Sequence, residues 1–385
     1  MTHRRACVTA LIAALTGFTA GCGSVEELSP PVLAMASATT LGFVLTDFTF
    51  DQPPDSENVC PSGFNIDERE LYLSQVDPTS GITDENTPRY LEYLRLMRKR
   101  GGPDPCKEPA LFSDDGHLTL EGPGVAAGFD LDGSVSTLEN SSPDSCAHQD
   151  FSGQAGEPGI DNQLWRVLGC VTGYQRGSII DEYAITNIRE GGRTILIQIS
   201  DIDDPRNDEH VGVAIFSSPD QIPVDAAGEL LSWASLSIAE DERYRNVTSG
   251  KLVDGVVTAG PVDLLLDFNG QFLDAEYRLR GAHLRLELEP DGNARGLIGG
   301  YWDIAKFYDA YAVQATRSGV FNVGFRCPAI YKALKREADA FPDAETGECS
   351  AISTAFRVAA IPAFLIPADS MTVAREDPLE AGSSY

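Results

Sequence analysis

The feature that most constrains the fold is a series of short apolar or alternating runs between about residues 115 and 325. The runs are HLTLEG, RTILIQIS, VGVAIFSS, KLVDGVVTAG, VDLLLDFNG, AEYRLRGAHLRLELEPDG and ARGLIGGYW, and Gly, Asp, Asn and Pro turns separate them. Alternation of apolar and polar residues indicates half-buried strands, and LEPDGNARG indicates a hairpin turn. Many short strands at this spacing predict a mainly β fold, an antiparallel β-sandwich or jelly roll with a few flanking helices.

The segments on either side of this region have other patterns. TLGFVLTDFTFD alternates as a strand does, and TPRYLEYLRLMRKRGG predicts a helix. CPAIYKALKREADAF predicts another helix, with Ile330, Leu334, Ala338 and Phe341 on one face, and the apolar ISTAFRVAAIPAFLIPA can cover the sandwich. The predicted organisation is a signal peptide (1–21), a tether (22–40), an N-terminal helical and strand region (41–114), a β-sandwich domain (115–325), a C-terminal helix and capping segment (326–368) and a disordered tail (369–385).

The N-terminus has the pattern of an export signal. Arg4 and Arg5 precede a mostly apolar stretch that is too short to span a bilayer as a permanent helix. The sequence Thr-Ala-Gly-Cys that ends at Cys22 resembles the lipobox of bacterial lipoproteins. That resemblance implies that Cys22 becomes the first residue and carries lipid, and Gly23 in place of Asp implies an outer-membrane destination. The alternative is ordinary cleavage after an A-x-A-like site, which leaves Cys22 as a plain cysteine.

The cysteines support an oxidising compartment. Of eight cysteines, Cys7 leaves with the signal and Cys22 would be lipidated. The remaining six are an even number and predict three disulfides. Because they fall as three local couples, the predicted pairs are Cys60–Cys106, Cys146–Cys170 and Cys327–Cys349. No CxxC motif is present, so the sequence indicates neither a thioredoxin-like redox site nor a thiolate zinc site.

The charge balance limits the partners. Removal of Arg4 and Arg5 with the signal leaves 27 basic residues against 58 acidic ones, a net charge of −31. Such a surface repels nucleic acid and anionic membrane, and it favours solubility or cation binding. No second stretch of the sequence reaches membrane length, so the lipid is expected to be the membrane anchor.

Acidic loops are the main candidates for a binding site. Carboxylates spaced by one residue can converge on a hard cation through oxygen, and calcium takes six to eight such ligands. The alternative is a set of solvated turns in an acidic protein. The candidate calcium ligands, from the loops FDLDGS, GIDNQ and SDIDDPRNDEH, are Asp130, Asp132, Asp161, Asn162, Asp201, Asp203, Asp204 and Asp208.

The stretch CAHQDFSGQAGEPGIDNQLWRVLGC, residues 146–170, permits two interpretations. A disulfide across it would hold His148, Asp150, Glu157 and Asp161 in one constrained loop, where a transition-metal or catalytic site can form. His148 and Asp150, two candidate ligands only two residues apart, are weak evidence for a metal site. We therefore favour a structural loop that a disulfide closes. The stretch resembles a segment of uncharacterised exported bacterial proteins, and this resemblance implies no activity.

Signatures of common enzymes are missing from the sequence. It contains no GxSxG, HExxH, P-loop or SxxK motif. Trp165, Trp233 and Trp302 with Tyr301 can line a groove for sugars, but we favour core positions for them. The expected function is a lipid-anchored envelope protein that serves as a binding or structural module, with calcium in its loops. The alternative is a secreted carbohydrate hydrolase with an Asp/Glu acid–base pair.

Overall fold

The structure is a computed structural model. It describes residues 39–52, 60–76, 92, 95, 102–140, 142, 145–269, 274–314 and 324–368. The predicted signal peptide, the lipobox-like sequence with Cys22, residues 22–38 of the predicted tether and the predicted C-terminal tail lie outside these ranges, whereas Thr39 and Thr40, predicted as the end of the tether, begin the first strand. The helix predicted after Thr87 also lies outside these ranges, apart from Glu92 and Arg95, which are helical.

Strands dominate the described residues. The strands are β1 (Thr39–Phe50), β2 (Thr194–Ile202), β3 (Asp208–Ser218), β4 (Ala234–Ser237), β5 (Arg245–Val253), β6 (Val256–Asn269), β7 (Asp274–Leu288), β8 (Ala294–Asp303), β9 (Ala340–Pro342) and β10 (Cys349–Ile366). The α-helices in the same ranges are α1 (Glu68–Val76), α2 (Gln163–Leu168), α3 (Ile179–Arg189), α4 (Ile304–Tyr308) and α5 (Cys327–Glu337). No helix among these residues is long and apolar enough to cross a membrane.

Eight of the strands close into an antiparallel β-barrel. The hydrogen-bonded order is β1-β2-β3-β5-β6-β7-β8-β10, and β10 pairs back with β1. The closing pair runs from Phe43 opposite Pro362 to Phe50 opposite Phe356. Strands β4 and β9 are short additions that pair with β10. The mainly β prediction is confirmed, but closure through β1 and β10 gives a barrel where the sequence predicted a sandwich or jelly roll.

The difference arises because alternation along a strand records which face is buried and not which strand lies beside it. The barrel also takes β1 from the predicted N-terminal region and β10 from the predicted capping segment. The apolar ISTAFRVAAIPAFLIPA, predicted as a cover, lies in β10, which bonds to both β1 and β8.

Aromatic side chains fill the interior of the barrel. Phe48 and Phe50 occupy alternate positions of β1, so both point inward. They pack with Tyr277, Trp302 and Phe356; the ring centroids of Phe48 and Phe356 are 4.5 Å apart, and those of Tyr277 and Trp302 are 4.6 Å apart. A cavity of about 20 Å³ beside these rings has room for about one water molecule. The interior is therefore a packed core.

A layer of loops covers part of the outer face of the barrel. A second, smaller core of Leu120, Phe151, Ile160 and Trp165 holds this loop layer together. Helix α2 packs from the layer against β10 and α5. Its N-cap is Asn162, whose side chain accepts a hydrogen bond from the backbone N–H of Trp165.

Three disulfides tie the loop layer to the barrel and to itself. The pairs are Cys60–Cys170, Cys106–Cys327 and Cys146–Cys349, with Cα–Cα distances of 5.7, 4.9 and 6.1 Å. The use of all six cysteines is confirmed, but the three predicted local pairs are wrong. A bridge requires two Cα atoms within about 7 Å, and the folded topology meets that requirement between cysteines 110 to 221 residues apart.

The helix predicted after Cys327 is α5, which ends at Glu337. Ile330 and Leu334 are buried on it as predicted, and Ala338 is buried just after it. Phe341 is not on that face. It is half-exposed in β9 and has a φ of 59°, because the chain turns there to pair with β10.

Candidate cation site

A cluster of carboxylates surrounds His148 between the loop layer and the outer face of the barrel. We call His148, Asp161 and Asp339 the inner group, and Asp130, Asp132 and Asp161 the outer group. Within each group, one ligand atom from every residue lies within 4.8 Å of the others. Asp161 belongs to both groups, so the two positions adjoin.

Backbone pairing places the histidine. The backbone N–H of Cys146 donates to the carbonyl of Asp339 at 2.9 Å, and Ser145 forms a β-bridge with Ala340. The Cys146–Cys349 disulfide fixes the same segment to the start of β10. These contacts hold residues 145–148 against the turn between α5 and β9.

His148 is buried and has polar partners on both ring nitrogens. Its Nδ1 lies 2.7 Å from the carbonyl oxygen of Cys146. Because a carbonyl only accepts, Nδ1 carries a proton. Its Nε2 lies 3.0 Å from Oδ1 of Asp150 and 3.2 Å from Oδ1 of Asp161. A proton or a metal ion is therefore required between Nε2 and these oxygens, since three lone pairs would otherwise face one another.

Asp161 has no exposed surface and two differently bonded oxygens. Its Oδ2 accepts the backbone N–H of Leu131 at 2.7 Å and that of Asp132 at 3.3 Å. Its Oδ1 faces His148. The carboxylate thus orients the FDLDGS loop with one oxygen and the imidazole with the other.

Asp339 is the deepest carboxylate of the cluster and is 1% exposed. Its Oδ1 accepts the backbone N–H of Ser353 at 2.8 Å. Its Oδ2 is buried and has no hydrogen-bond partner of acceptable geometry among the described residues, although the hydroxyl of Ser353 also lies near the carboxyl group. Ser353 of β10 pairs with Tyr301 of β8. Their neighbours in sequence, Ile352 and Trp302, point into the barrel core, so Ser353 and Tyr301 point outward to the loop layer.

The outer group leads to the surface. Asp130 is exposed and Asp132 is half-buried. Oδ1 of each accepts the backbone N–H of Ser134, at 3.0 and 2.9 Å. Gly133 between them has a φ of 72°, a conformation that glycine adopts without strain. The tight turn places both carboxylates on the same side as Asp161.

The electrostatics of the cluster show an excess of negative charge. Neither the four carboxylates of the two groups nor the adjacent carboxylate of Asp150 forms an ion pair with Lys or Arg within the described part of the chain. Burial alone lowers the pKa of His148, but the adjacent carboxylates of Asp150 and Asp161 and the charge of Asp339 raise it to about 11. Burial raises the pKa of Asp339 to about 7, against the opposing effect of the His148 charge. Burial also raises the pKa of Asp161. One imidazolium is thus left to balance several carboxylates.

The structure brings together three of the eight calcium ligands predicted from the sequence, Asp130, Asp132 and Asp161. Asn162 caps α2 and donates to the carbonyl of Ala127 at 2.8 Å, so both ends of its side chain are engaged. The remaining four, Asp201, Asp203, Asp204 and Asp208, lie at the turn between β2 and β3 and belong to no three-ligand group among the described residues.

Backbone N–H groups at that turn bond to the carboxylates of Asp204 and Asp208. Oδ2 of Asp208 accepts the backbone N–H of Asp203 at 2.7 Å, and Oδ1 of Asp204 accepts that of Arg206 at 2.8 Å. Hydrogen bonds from the backbone lower the pKa of Asp208. Asp204 and Asp208 therefore fit the alternative interpretation, a solvated turn.

The tryptophans form no common groove. Trp165 packs in the loop layer and Trp302 in the barrel, and both are buried. Trp233 is 59% exposed and contacts Phe364, with ring centroids 5.6 Å apart. An open groove of about 720 Å³ does exist elsewhere, between the ends of β2 and β3 and the turn at Arg243 and Tyr244.

Comparison with known proteins gives no match: no protein-family model, no curated protein and no solved structure resembles the chain. What the cluster can do is therefore inferred from its own chemistry.

Sequence reasoning missed Asp339 and Ser353. Neither lies in a recognisable motif, and Asp339 is 178 positions away from Asp161 along the chain. The correct pairing of Cys146 with Cys349 would have been the one signal that brings the two regions together. The sequence does point to His148 and Asp150 as possible metal ligands, but a loop closed by Cys146 and Cys170 is wrong, because Cys146 pairs with Cys349.

Proposed function

We propose that the protein is an exported, lipid-anchored module of the cell envelope, with a binding or structural role, and that calcium at the outer group stabilises its loop layer. The observation that carries the proposal is the convergence of Asp130, Asp132 and Asp161 within 4.8 Å. Oxygen-only groups of this kind suit a hard cation such as calcium.

Two further observations support this role. Asp130 and Asp132 come from one loop and Asp161 from the segment before α2, so a shared cation would cross-link two parts of the loop layer. Burial, with the charges of Asp132 and Asp150, raises the pKa of Asp130. A bound divalent cation would remove this repulsion.

Thermal unfolding of the exported full chain tests the calcium site. At a calcium concentration one hundred times Kd, ligation of the folded state alone adds about 2.7 kcal/mol of stability. We expect Tm to rise by several degrees with calcium, relative to chelator or magnesium. The double variant Asp130→Asn, Asp132→Asn should lose the rise.

The matched control is the double variant Asp203→Asn, Asp204→Asn in the β2–β3 turn, which should keep the rise. Equal responses in both variants, or no response in the parent protein, would contradict a calcium site in the outer group.

The anchor is tested separately by Cys22→Ser. Lipidation requires the thiol of Cys22, so the variant should move from the membrane fraction to the soluble fraction while its calcium response stays unchanged. Retention of the variant in the membrane fraction at the parental level would refute the lipid anchor.

A further inference from the structure

We infer that the inner group is a second metal position, one that takes a divalent transition metal of the zinc type. It shares Asp161 with the proposed calcium site and otherwise uses different residues. The ligands are Nε2 of His148, Oδ1 of Asp161 and Oδ2 of Asp339, with Oδ1 of Asp150 as the fourth.

The unpartnered oxygen of Asp339 is the observation that points to a ligand. A buried carboxylate oxygen without a hydrogen bond is costly and needs an explanation. Oδ2 of Asp339 is buried, and the whole residue is only 1% exposed. A carboxylate oxygen of Asp339 lies within 4.8 Å of the ligand atoms of His148 and Asp161. Oδ1 of Asp150 is also buried and lies 3.0 Å from Nε2 of His148, without the geometry of a hydrogen bond.

Distances around the imidazole fit a small ion. Ligand atoms bound tetrahedrally to zinc at about 2.0 Å lie about 3.3 Å from one another. Nε2 of His148 is 3.0 and 3.2 Å from the nearest oxygens of Asp150 and Asp161. The oxygens of Asp150 and Asp161 therefore already lie at about the distance from Nε2 that two further ligands of one zinc ion would have.

The hydrogen bonds around the inner group are those of a supported metal ligand. Metal-bound histidines usually donate their other ring N–H to a carbonyl or carboxylate, and Nδ1 of His148 faces the carbonyl of Cys146 in this way. Oδ2 of Asp161 and Oδ1 of Asp339 are held by backbone N–H groups, which leaves their second oxygens free for an ion. The two carboxylates are thus oriented by backbone N–H groups, which cannot themselves bind a cation.

Charge and ligand type select the metal. A protonated His148 gives one positive charge against the carboxylates of Asp150, Asp161 and Asp339. A divalent ion bound to neutral His148 gives two positive charges. It also binds Oδ2 of Asp339, which otherwise has no hydrogen-bond partner. Imidazole nitrogen with carboxylate oxygens favours zinc or cobalt over calcium, which prefers oxygen alone.

The test is titration of the chelator-stripped full chain with zinc in a calorimeter, and with cobalt in the visible spectrum. We expect one zinc per chain, and d–d absorption of a tetrahedral cobalt complex. His148→Asn keeps a side-chain donor for the carbonyl of Cys146 but removes Nε2. Asp339→Asn keeps the shape and the acceptor for Ser353. Each variant should weaken zinc binding by about 100-fold or more. Loss of a residue that only hydrogen-bonds to a metal ligand costs about 10- to 100-fold in affinity, and loss of a ligand itself should cost at least as much.

Two controls separate this inference from the calcium proposal. The exposed His210→Asn should bind zinc as the parent does. The double variant Asp130→Asn, Asp132→Asn should lose the calcium response but bind zinc within about threefold of the parent. Zinc binding that survives in Asp339→Asn, or no zinc binding by the parent protein, would overturn the inner site. Zinc binding without any calcium response would overturn the calcium site alone.

Discussion

At the scale of single residues, two buried histidines of the loop layer show how surroundings set the charge of an imidazole. His148 lies against Asp150 and Asp161, and its pKa is raised to about 11. His117 has no such partner. Burial lowers its pKa to about 4, with a further contribution from the charges of Arg336 and Arg326. The first ring is an ion-pairing group, and the second stays neutral at ordinary pH.

His117 predicts a component of acid unfolding. Its Nε2 donates to the carbonyl of Val167 at 2.9 Å, and its Nδ1 has no partner among the described residues. The unfolded chain takes up a proton near pH 6.5, whereas the folded protein resists it until about pH 4. Stability due to this group is therefore complete above pH 6.5 and falls as the pH drops towards 4, by about 3 kcal/mol in all.

His117→Gln tests this component, because the amide can donate to the same carbonyl but does not titrate. The free energy of unfolding in urea, measured from pH 8 to pH 4, should fall less steeply for the variant than for the parent below pH 6.5. Parallel curves for the two proteins would show that His117 does not contribute.

At the scale of elements, the Cys146–Cys349 disulfide joins two segments that position the candidate cation site. Cys146 provides the carbonyl that orients His148, and Cys349 begins β10, which carries Ser353. The double variant Cys146→Ser, Cys349→Ser should lower the free energy of unfolding by about 2–5 kcal/mol. It should also weaken zinc binding, because the His148 segment is no longer fixed.

The control for this disulfide is the double variant Cys106→Ser, Cys327→Ser. It removes a bridge between cysteines 221 residues apart, a separation similar to the 203 residues between Cys146 and Cys349. It should lose comparable stability and keep zinc affinity, since neither cysteine lies within the cluster. Calorimetry at a temperature where both variants are folded distinguishes them. Equal loss of zinc affinity in both would mean that the disulfide does not position the site.

Individual elements were the part of the structure that the sequence predicted best. RTILIQIS and VGVAIFSS correspond to β2 and β3, and the helix after Cys327 corresponds to α5. These elements follow from local period and local turn residues. Cysteine pairing does not, because Cys146 has a nearer candidate in sequence, Cys170, and only the fold places Cys349 beside it.

At the scale of the whole molecule, closure of the barrel depends on contacts between the two ends of the described chain. Phe43 pairs with Pro362, and Arg357 of β10 donates to Oδ2 of Asp47 in β1 at 2.8 Å. Such distant pairings leave no local pattern, so the sequence predicted strands without predicting closure. The candidate cation site follows the same rule: Asp130, Asp132 and Asp161 are among the ligands that the sequence predicts, on two separate loops, whereas Asp339 is not among them.

Closure makes a prediction about exchange of backbone amides with solvent. In a closed barrel β1 has a neighbour on both sides, so its ladder amides open only with the whole domain. We expect hydrogen–deuterium exchange, followed by mass spectrometry, to give β1 and β10 the same protection as β6, which lies between β5 and β7. Strand β4, which pairs with β10 alone, is the internal control and should exchange much faster. A sandwich would instead leave β1 as an edge strand, with protection close to that of β4, and that result would exclude the barrel.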